Sequence, residues 1–112
     1  MNSLNSILIE GTVVEDPKTE TLPSGSLRCD FVIVSDRHFK QGDTLEKEVS
    51  RFDVEAWSKL GEHCSAQLRQ GRACRVVGRL KQYRRIDADG KEESRVVVVA
   101  EHVEFKPEAR HG

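Results

Sequence analysis

The chain has 112 residues, with 18 Lys and Arg against 19 Asp and Glu for a net charge of −1, and a hydrophobic share of 37%. This length points to one domain, whose apolar content supplies a single small core without metal or disulfide staples. The longest apolar run, Val96 to Ala100, falls far short of the ~20 residues of a membrane span, and the opening Met1-Asn2-Ser3-Leu4-Asn5 lacks the charged and apolar stretches of a secretory leader.

Ile7-Leu8-Ile9 followed by Gly11-Thr12-Val13-Val14 predicts a first strand with a glycine bend inside it. Asp16-Pro17 and Pro23-Ser24-Gly25 are turn chemistry, since proline presets φ and glycine accepts positive φ. Leu27 to Ser35 is a second strand by period two, with Cys29, Phe31 and Ile33 on one face and Arg28, Asp30, Val32 and Val34 on the other. Lys40-Gln41-Gly42-Asp43 is a polar hairpin loop. Glu48 to Trp57 is a third strand: Phe52, Val54 and Ala56 share one face, and Arg51, Asp53, Glu55 and Trp57 share the opposite one.

The period then changes. Leu60, Cys64 and Leu68 recur every four residues, which predicts a helix over 58–70. Ser58 is the expected N-cap, Glu62 suits the first turn, Arg69 the last and Gly71 the C′ position. Gly61 inside the helix costs on the order of 1 kcal/mol relative to alanine, so the helix must depend on packing. Ala73 to Tyr83 returns to period two as a fourth strand, Asp87-Ala88-Asp89-Gly90 is a hairpin turn, and Arg95 to Phe105 is the last strand. Residues 1–106 then form the domain, and 107–112 a short flexible end.

Five strands with one helix between the third and fourth is the order of an OB-fold, a small all-β Greek-key barrel whose face binds oligonucleotides and oligosaccharides. The order suggests that fold without excluding other small barrels or α+β sandwiches.

The fourth strand carries the chemistry. Met1 to Leu68 holds 7 basic and 12 acidic residues, and Asp87 to Gly112 holds 4 and 7. Between them, Arg69 to Ile86 holds 7 basic residues and no acid, a local charge of +7. Cys74, Val76, Gly78 and Leu80 alternate toward the core, and Arg75, Val77, Arg79, Lys81, Tyr83 and Arg85 alternate away from it. One face therefore shows four cations and a ring, repeating about every 6.6–6.8 Å, roughly the repeat of an extended nucleic-acid strand. Cations neutralise phosphates, and a ring or flat guanidinium gives a stacking surface that any base can use. A merely solvated strand would more readily carry both signs of charge. Trp57, on the strand face opposite Phe52, and the set Arg37-His38-Phe39-Lys40 at a strand end extend the candidate surface.

These residues resemble a known family. Phe52-Asp53-Val54-Glu55-Ala56-Trp57-Ser58-Lys59-Leu60, Leu68-Arg69-Gln70-Gly71 and Val77-Gly78-Arg79-Leu80 are similar to the bacterial single-stranded DNA-binding proteins. So are Asn5-Ser6-Ile7-Leu8-Ile9-Glu10-Gly11, Asp16-Pro17, Pro23-Ser24-Gly25 and Asp89-Gly90, an ordered set covering about residues 3–107. The resemblance implies an OB-fold that assembles, usually as a homotetramer with a dimer as the smaller option, and wraps single-stranded DNA with little regard for sequence. It carries stacking roles to Phe39 and Trp57, and basic roles to Lys59, Lys81 and Arg84. At two positions where the family usually has an aromatic, this chain has Arg51 and Arg85. Arginine can stack and also pair with phosphate, so the expectation is weaker, more salt-sensitive binding. Family members usually end in an acidic tip that recruits replication and repair enzymes, whereas this sequence stops at Pro107-Glu108-Ala109-Arg110-His111-Gly112. Recruitment through a tail is therefore not expected.

No catalytic or metal motif emerges. Cys64 and Cys74 are ten apart without close paired ligands, and His63 points to a different helix face from Cys64. Three cysteines at uneven spacing argue against a disulfide framework and for a reducing cytosol. Gly71 and Gly78 are not followed by Lys-Ser/Thr. The expectation is a cytoplasmic, non-enzymatic, cofactor-free DNA-binding protein of replication, recombination and repair. Its nucleic-acid-binding residues are Phe39, Arg51, Trp57, Lys59, Arg75, Arg79, Lys81, Tyr83, Arg84 and Arg85. The alternative is an OB-fold or primosome-type accessory module that docks on a protein and binds DNA weakly.

Overall fold

The alternation at Cys29, Phe31 and Ile33 is realised in a strand that runs well past its apolar part. The computed structural model describes residues 1–108 and contains β1 (Ile7–Val13), β2 (Lys18–Thr21), β3 (Leu27–Gln41), β4 (Thr44–Trp57), α1 (Ser58–Gln67), β5 (Ala73–Ile86) and β6 (Glu92–Phe105). The sheet runs β1-β5-β6-β4-β3, and β1 returns to β3 through Thr12↔Val34 and Val13↔Ile33, closing a five-stranded barrel. The β4–β6 contact is parallel, at Val54↔Val98 and Glu55↔Val99, and the other pairings are antiparallel. With one helix between the third and fourth barrel strands, this is the expected OB-fold. β2 is an addition that the sequence did not suggest: four exposed residues paired to the outer edge of β3, too polar for period two to register.

The core is drawn from every barrel strand. Val13, Phe31, Ile33, Val54, Ala56, Val76, Val98 and Val103 are buried together, joined by Cys64 from α1 and Leu68 just beyond its end. Full burial of one such side chain as Leu68 stabilises by roughly 1.5–3 kcal/mol. The three cysteines are free and buried. Burial pushes the Cys64 thiol up to about 12 and the Cys74 thiol to about 11, so both remain unreactive.

Two hairpins extend as polar arms beyond the barrel. β3 and β4 stay paired out to Gln41↔Thr44, and β5 and β6 out to Ile86↔Glu92. The expected strands ended at Ser35, Glu48, Tyr83 and Arg95 because apolar alternation stops there. The backbone ladder does not, and Arg37–Glu48 and Arg85–Glu93 pair directly across it at 3.6 Å each. Leu80 is corrected by this geometry. It is 43% exposed rather than in the core, because β5 leaves β1 after Gly78, and there the Asn5 side chain takes over by bonding the Leu80 N–H and C=O at 2.9 and 2.7 Å.

The helix differs from its sequence reading at both ends. Trp57 occupies the N-cap without a side-chain bond, and Ser58 sits inside at φ 54, a left-handed conformation uncommon for a residue with a Cβ. The helix stops at Gln67, and Arg69 satisfies the exposed Ser65 carbonyl at 2.8 Å. Gly71 therefore turns the following loop instead of capping the helix. Gly61 has a packing reason: a Cβ there would lie 2.6 Å from the Ala56 carbonyl oxygen and 3.0 Å from Leu27. Residues 106–108 are held in place, with Lys106 N–H bonded to Ala73 and Arg72 paired to Glu108 at 2.9 Å. The rest of the expected flexible end, 109–112, lies outside the described residues.

Candidate nucleic-acid interface

Register decides which side chains share the outer face of the barrel. β3 and β4 place Arg28 opposite Trp57, Asp30 opposite Glu55, Val32 opposite Asp53 and Val34 opposite Arg51. β5 and β6 place Arg79 opposite Val99, Lys81 opposite Val97, Tyr83 opposite Arg95 and Arg85 opposite Glu93. The β4–β6 contact joins the two halves through Glu55↔Val99. Trp57 and Tyr83 thus come from strands on either side of β6 onto one surface. Val97 and Val99, buried yet outside the core cluster, give that surface an apolar floor. The sequence showed them only as part of an unbroken apolar run.

One carboxylate ties the rings together. Glu55 is 6% exposed, the one buried charged residue among the described residues. Its Oε1 accepts a hydrogen bond from the Trp57 indole N–H at 3.1 Å and another from the Tyr83 hydroxyl at 2.7 Å. Loss of hydration, and then this bond, push the Tyr83 phenol up to about 12. Each ring also carries a cation: the Arg28 guanidinium lies 5.9 Å from the Trp57 centroid, and the Lys81 ammonium 4.6 Å from that of Tyr83. Strand parity placed Glu55 on this face, but nothing local in sequence showed that Tyr83, 28 positions away, would reach it.

The cations divide into two groups. Arg75 is bound to Glu10 at 2.9 Å and lies 3.8 Å from Glu104; Arg85 pairs with Glu93 at 3.6 Å, and Arg84 with Glu92. The seven-cation, acid-free stretch is therefore partly neutralised by β1 and β6, which strand-by-strand reading could not show. Arg51, Lys59, Arg79 and Lys81 have no carboxylate within 4.0 Å among the described residues. Arg84 falls on the opposite face of β5 from Lys81 and Tyr83, since neighbouring residues alternate. Phe39 sits on the β3–β4 arm opposite Glu46, in the register of Ile33 rather than of Arg51, with Arg37 stacked 5.0 Å from its ring. Lys59 is exposed in the first turn of α1, two residues beyond Trp57. Arg28 and Arg95 were not foreseen: Arg28 bonds Asp30 and Glu20, and Arg95 pairs with Asp53 at 3.5 Å.

Among the described residues no three His, Cys, Asp or Glu side chains are grouped to hold a metal ion, and no helix is long and apolar enough to cross a membrane.

Residues 4–106 match the model of the single-strand binding protein family. The chain belongs to that family. It is 34% identical over 101 residues to the single-stranded DNA-binding protein of Aquifex aeolicus, covering 89% of this chain and 68% of that protein. Against the single-stranded DNA-binding protein of Treponema pallidum, identity is 30% over 105 residues, covering 94% of this chain and 59% of the relative. The structure of a Plasmodium falciparum SSB in complex with single-stranded DNA superimposes with a TM-score of 0.86 over 96% of this chain and 98% of that one. At 18% identity, that last likeness speaks for the barrel alone. In this member of the family, the outer face combines a carboxylate-linked Trp57–Tyr83 pair with Arg51, Arg79 and Lys81, which have no carboxylate within 4.0 Å among the described residues.

Proposed function

We propose that this chain binds single-stranded DNA without a sequence requirement and without catalysis, shielding the strand during replication, recombination and repair. The observation that carries the reading is the convergence of Trp57 and Tyr83 with Arg79 and Lys81 on one barrel face, in a chain of the single-strand binding protein family. Bases stack on the two rings while Arg79 and Lys81 neutralise phosphates, because stacking tolerates any base and cations read only the backbone. Arg51 and Lys59 continue the charge along β4 and α1, and Phe39, on the other side of the β3–β4 arm from Arg51, is reached where the strand wraps round that arm. Arg75, Arg84 and Arg85 play smaller parts, given their acidic partners.

The reading includes self-association as a tetramer or dimer. Among the described residues Ile7 to Glu10 pair with β5 alone, which leaves their other edge open there, and Leu8 is 65% exposed beside it. An open strand edge with an apolar side chain favours pairing between copies, and closed symmetric assembly lengthens the DNA path.

Oligo-dT titration followed by the emission of Trp57, the single tryptophan, tests the reading. The expected result is a saturable change that weakens steeply as salt rises, through counterion release. Unchanged emission with no gel retardation at low salt overturns it.

A further inference from the structure

Glu55 is an unusual residue to bury in a surface meant for a polyanion. Oε1 takes both ring donors, from Trp57 and Tyr83. Oε2 takes part in no hydrogen bond or ion pair among the described residues, and no fully enclosed side-chain oxygen there lacks a partner. Oε2 therefore meets solvent, at the point where two stacking rings are held side by side. A stacked base would bring its edge to an acceptor whose orientation two hydrogen bonds have already fixed.

We propose that Glu55 is a specificity-determining residue, which clamps Trp57 and Tyr83 into one platform and presents Oε2 as an acceptor for the amino group of a bound base. This rests on the reading of the face as the single-stranded DNA site. Cytosine offers its N4 amino group, the usual donor to a glutamate. Thymine offers no amino group, and its one ring N–H lies between two carbonyl oxygens that a carboxylate repels. Binding stays tolerant of sequence overall, because most contacts are to phosphates and ring faces, but at this position amino-bearing bases are favoured.

The geometry makes a sharp demand on Glu55→Gln. In glutamine Oε1 still accepts from Trp57 and Tyr83, so the amide nitrogen takes the outward position and an acceptor becomes a donor. The preference should then swing toward thymine, whose O4 accepts.

The test is competition binding of equal-length oligo-dC and oligo-dT to the wild-type chain and to Glu55→Gln, at neutral pH and raised salt to damp the phosphate contribution. The dC-to-dT affinity ratio of the wild type should exceed that of Glu55→Gln by about three- to tenfold, the range of one hydrogen bond gained or lost. With the wild type alone, an oligomer of N4,N4-dimethylcytosine, which keeps the ring and loses both donors, should lose that advantage. Equal ratios in the two proteins, or tight binding of the dimethylated strand, overturn the inference while leaving the DNA-binding reading in place. Failure of the wild type to bind any strand overturns both.

Discussion

Arg75 is gripped by Glu10: its Nε and Nη2 both donate to one carboxylate oxygen, at 3.1 and 2.9 Å, across the β1–β5 ladder where the two residues face each other. The same contact, followed by the charge of Lys106, holds the Glu10 carboxyl below its usual range. Arg79, four residues along the same strand face, has no such partner among the described residues. Two arginines that look alike in sequence would therefore offer DNA different amounts of free charge under the proposed function. Arg79→Ala should weaken oligonucleotide binding and lower the slope of log affinity against log salt by about 0.7, one phosphate's share on a single strand. Arg75→Ala should leave the slope nearly unchanged. Salt titrations of the two variants check this. The double reversal Arg79→Glu with Lys81→Glu should abolish binding, whereas a protein-docking module would tolerate it.

Trp57 is the single tryptophan, and Arg51 lies on the same face of β4. Trp57→Ala should cost roughly 1–3 kcal/mol of DNA affinity, the range for one stacked base. Arg51→Trp should move binding the other way in kind: a shallower salt slope with affinity kept or raised at high salt. Fluorescence anisotropy at two salt concentrations separates these outcomes.

Gly61 is a stability prediction. A methyl group there would meet the Ala56 carbonyl at 2.6 Å, and that carbonyl belongs to the backbone of β4. Helix propensity alone would make Gly61→Ala favourable by about 1 kcal/mol. Overpacking costs typically about 1–3 kcal/mol, and a backbone neighbour cannot rotate away. The variant should therefore have a lower Tm than the parent, which calorimetry reads directly.

The apolar parts of the fold were legible because period two and period four report burial. Cys29, Phe31 and Ile33, and then Cys64 and Leu68, fall where the pattern puts them. The arms and β2 were not legible, since their polar residues are held by backbone ladders and cross-strand ion pairs that leave no hydrophobic signal. In the site, parity placed Trp57, Arg79, Lys81 and Tyr83 on outward faces. It could not show which acids from β1 and β6 would neutralise Arg75, Arg84 and Arg85, because those partners come from other strands. Glu55 was visible only as a charge on the Trp57 face; its two bonds required the barrel to close.

Self-association should run through the open edge of β1. Leu8→Glu puts a charge where copies would pair, and sedimentation should shift it toward monomer while the barrel remains folded. A wild-type chain that is monomeric at micromolar concentration contradicts the assembly.

Tyr83 gives a pH prediction whose sign follows from its raised pKa. The unfolded phenol loses its proton near 10, whereas in the fold loss of hydration and the bond to Glu55 hold it to about 12. Between these values the unfolded chain binds fewer protons than the folded one, so stability falls as pH rises. The contribution is whole below about pH 10 and gone above about 12. Because Tyr83 is the single tyrosine, tyrosinate absorbance reports it alone. Its midpoint should lie near 12 in the native protein and near 10 in urea. The comparison with Tyr83→Phe isolates the effect: that variant should lose Tm less steeply above pH 10. Parallel curves for the two proteins, or a native midpoint near 10, would mean that the hydroxyl is not held by Glu55.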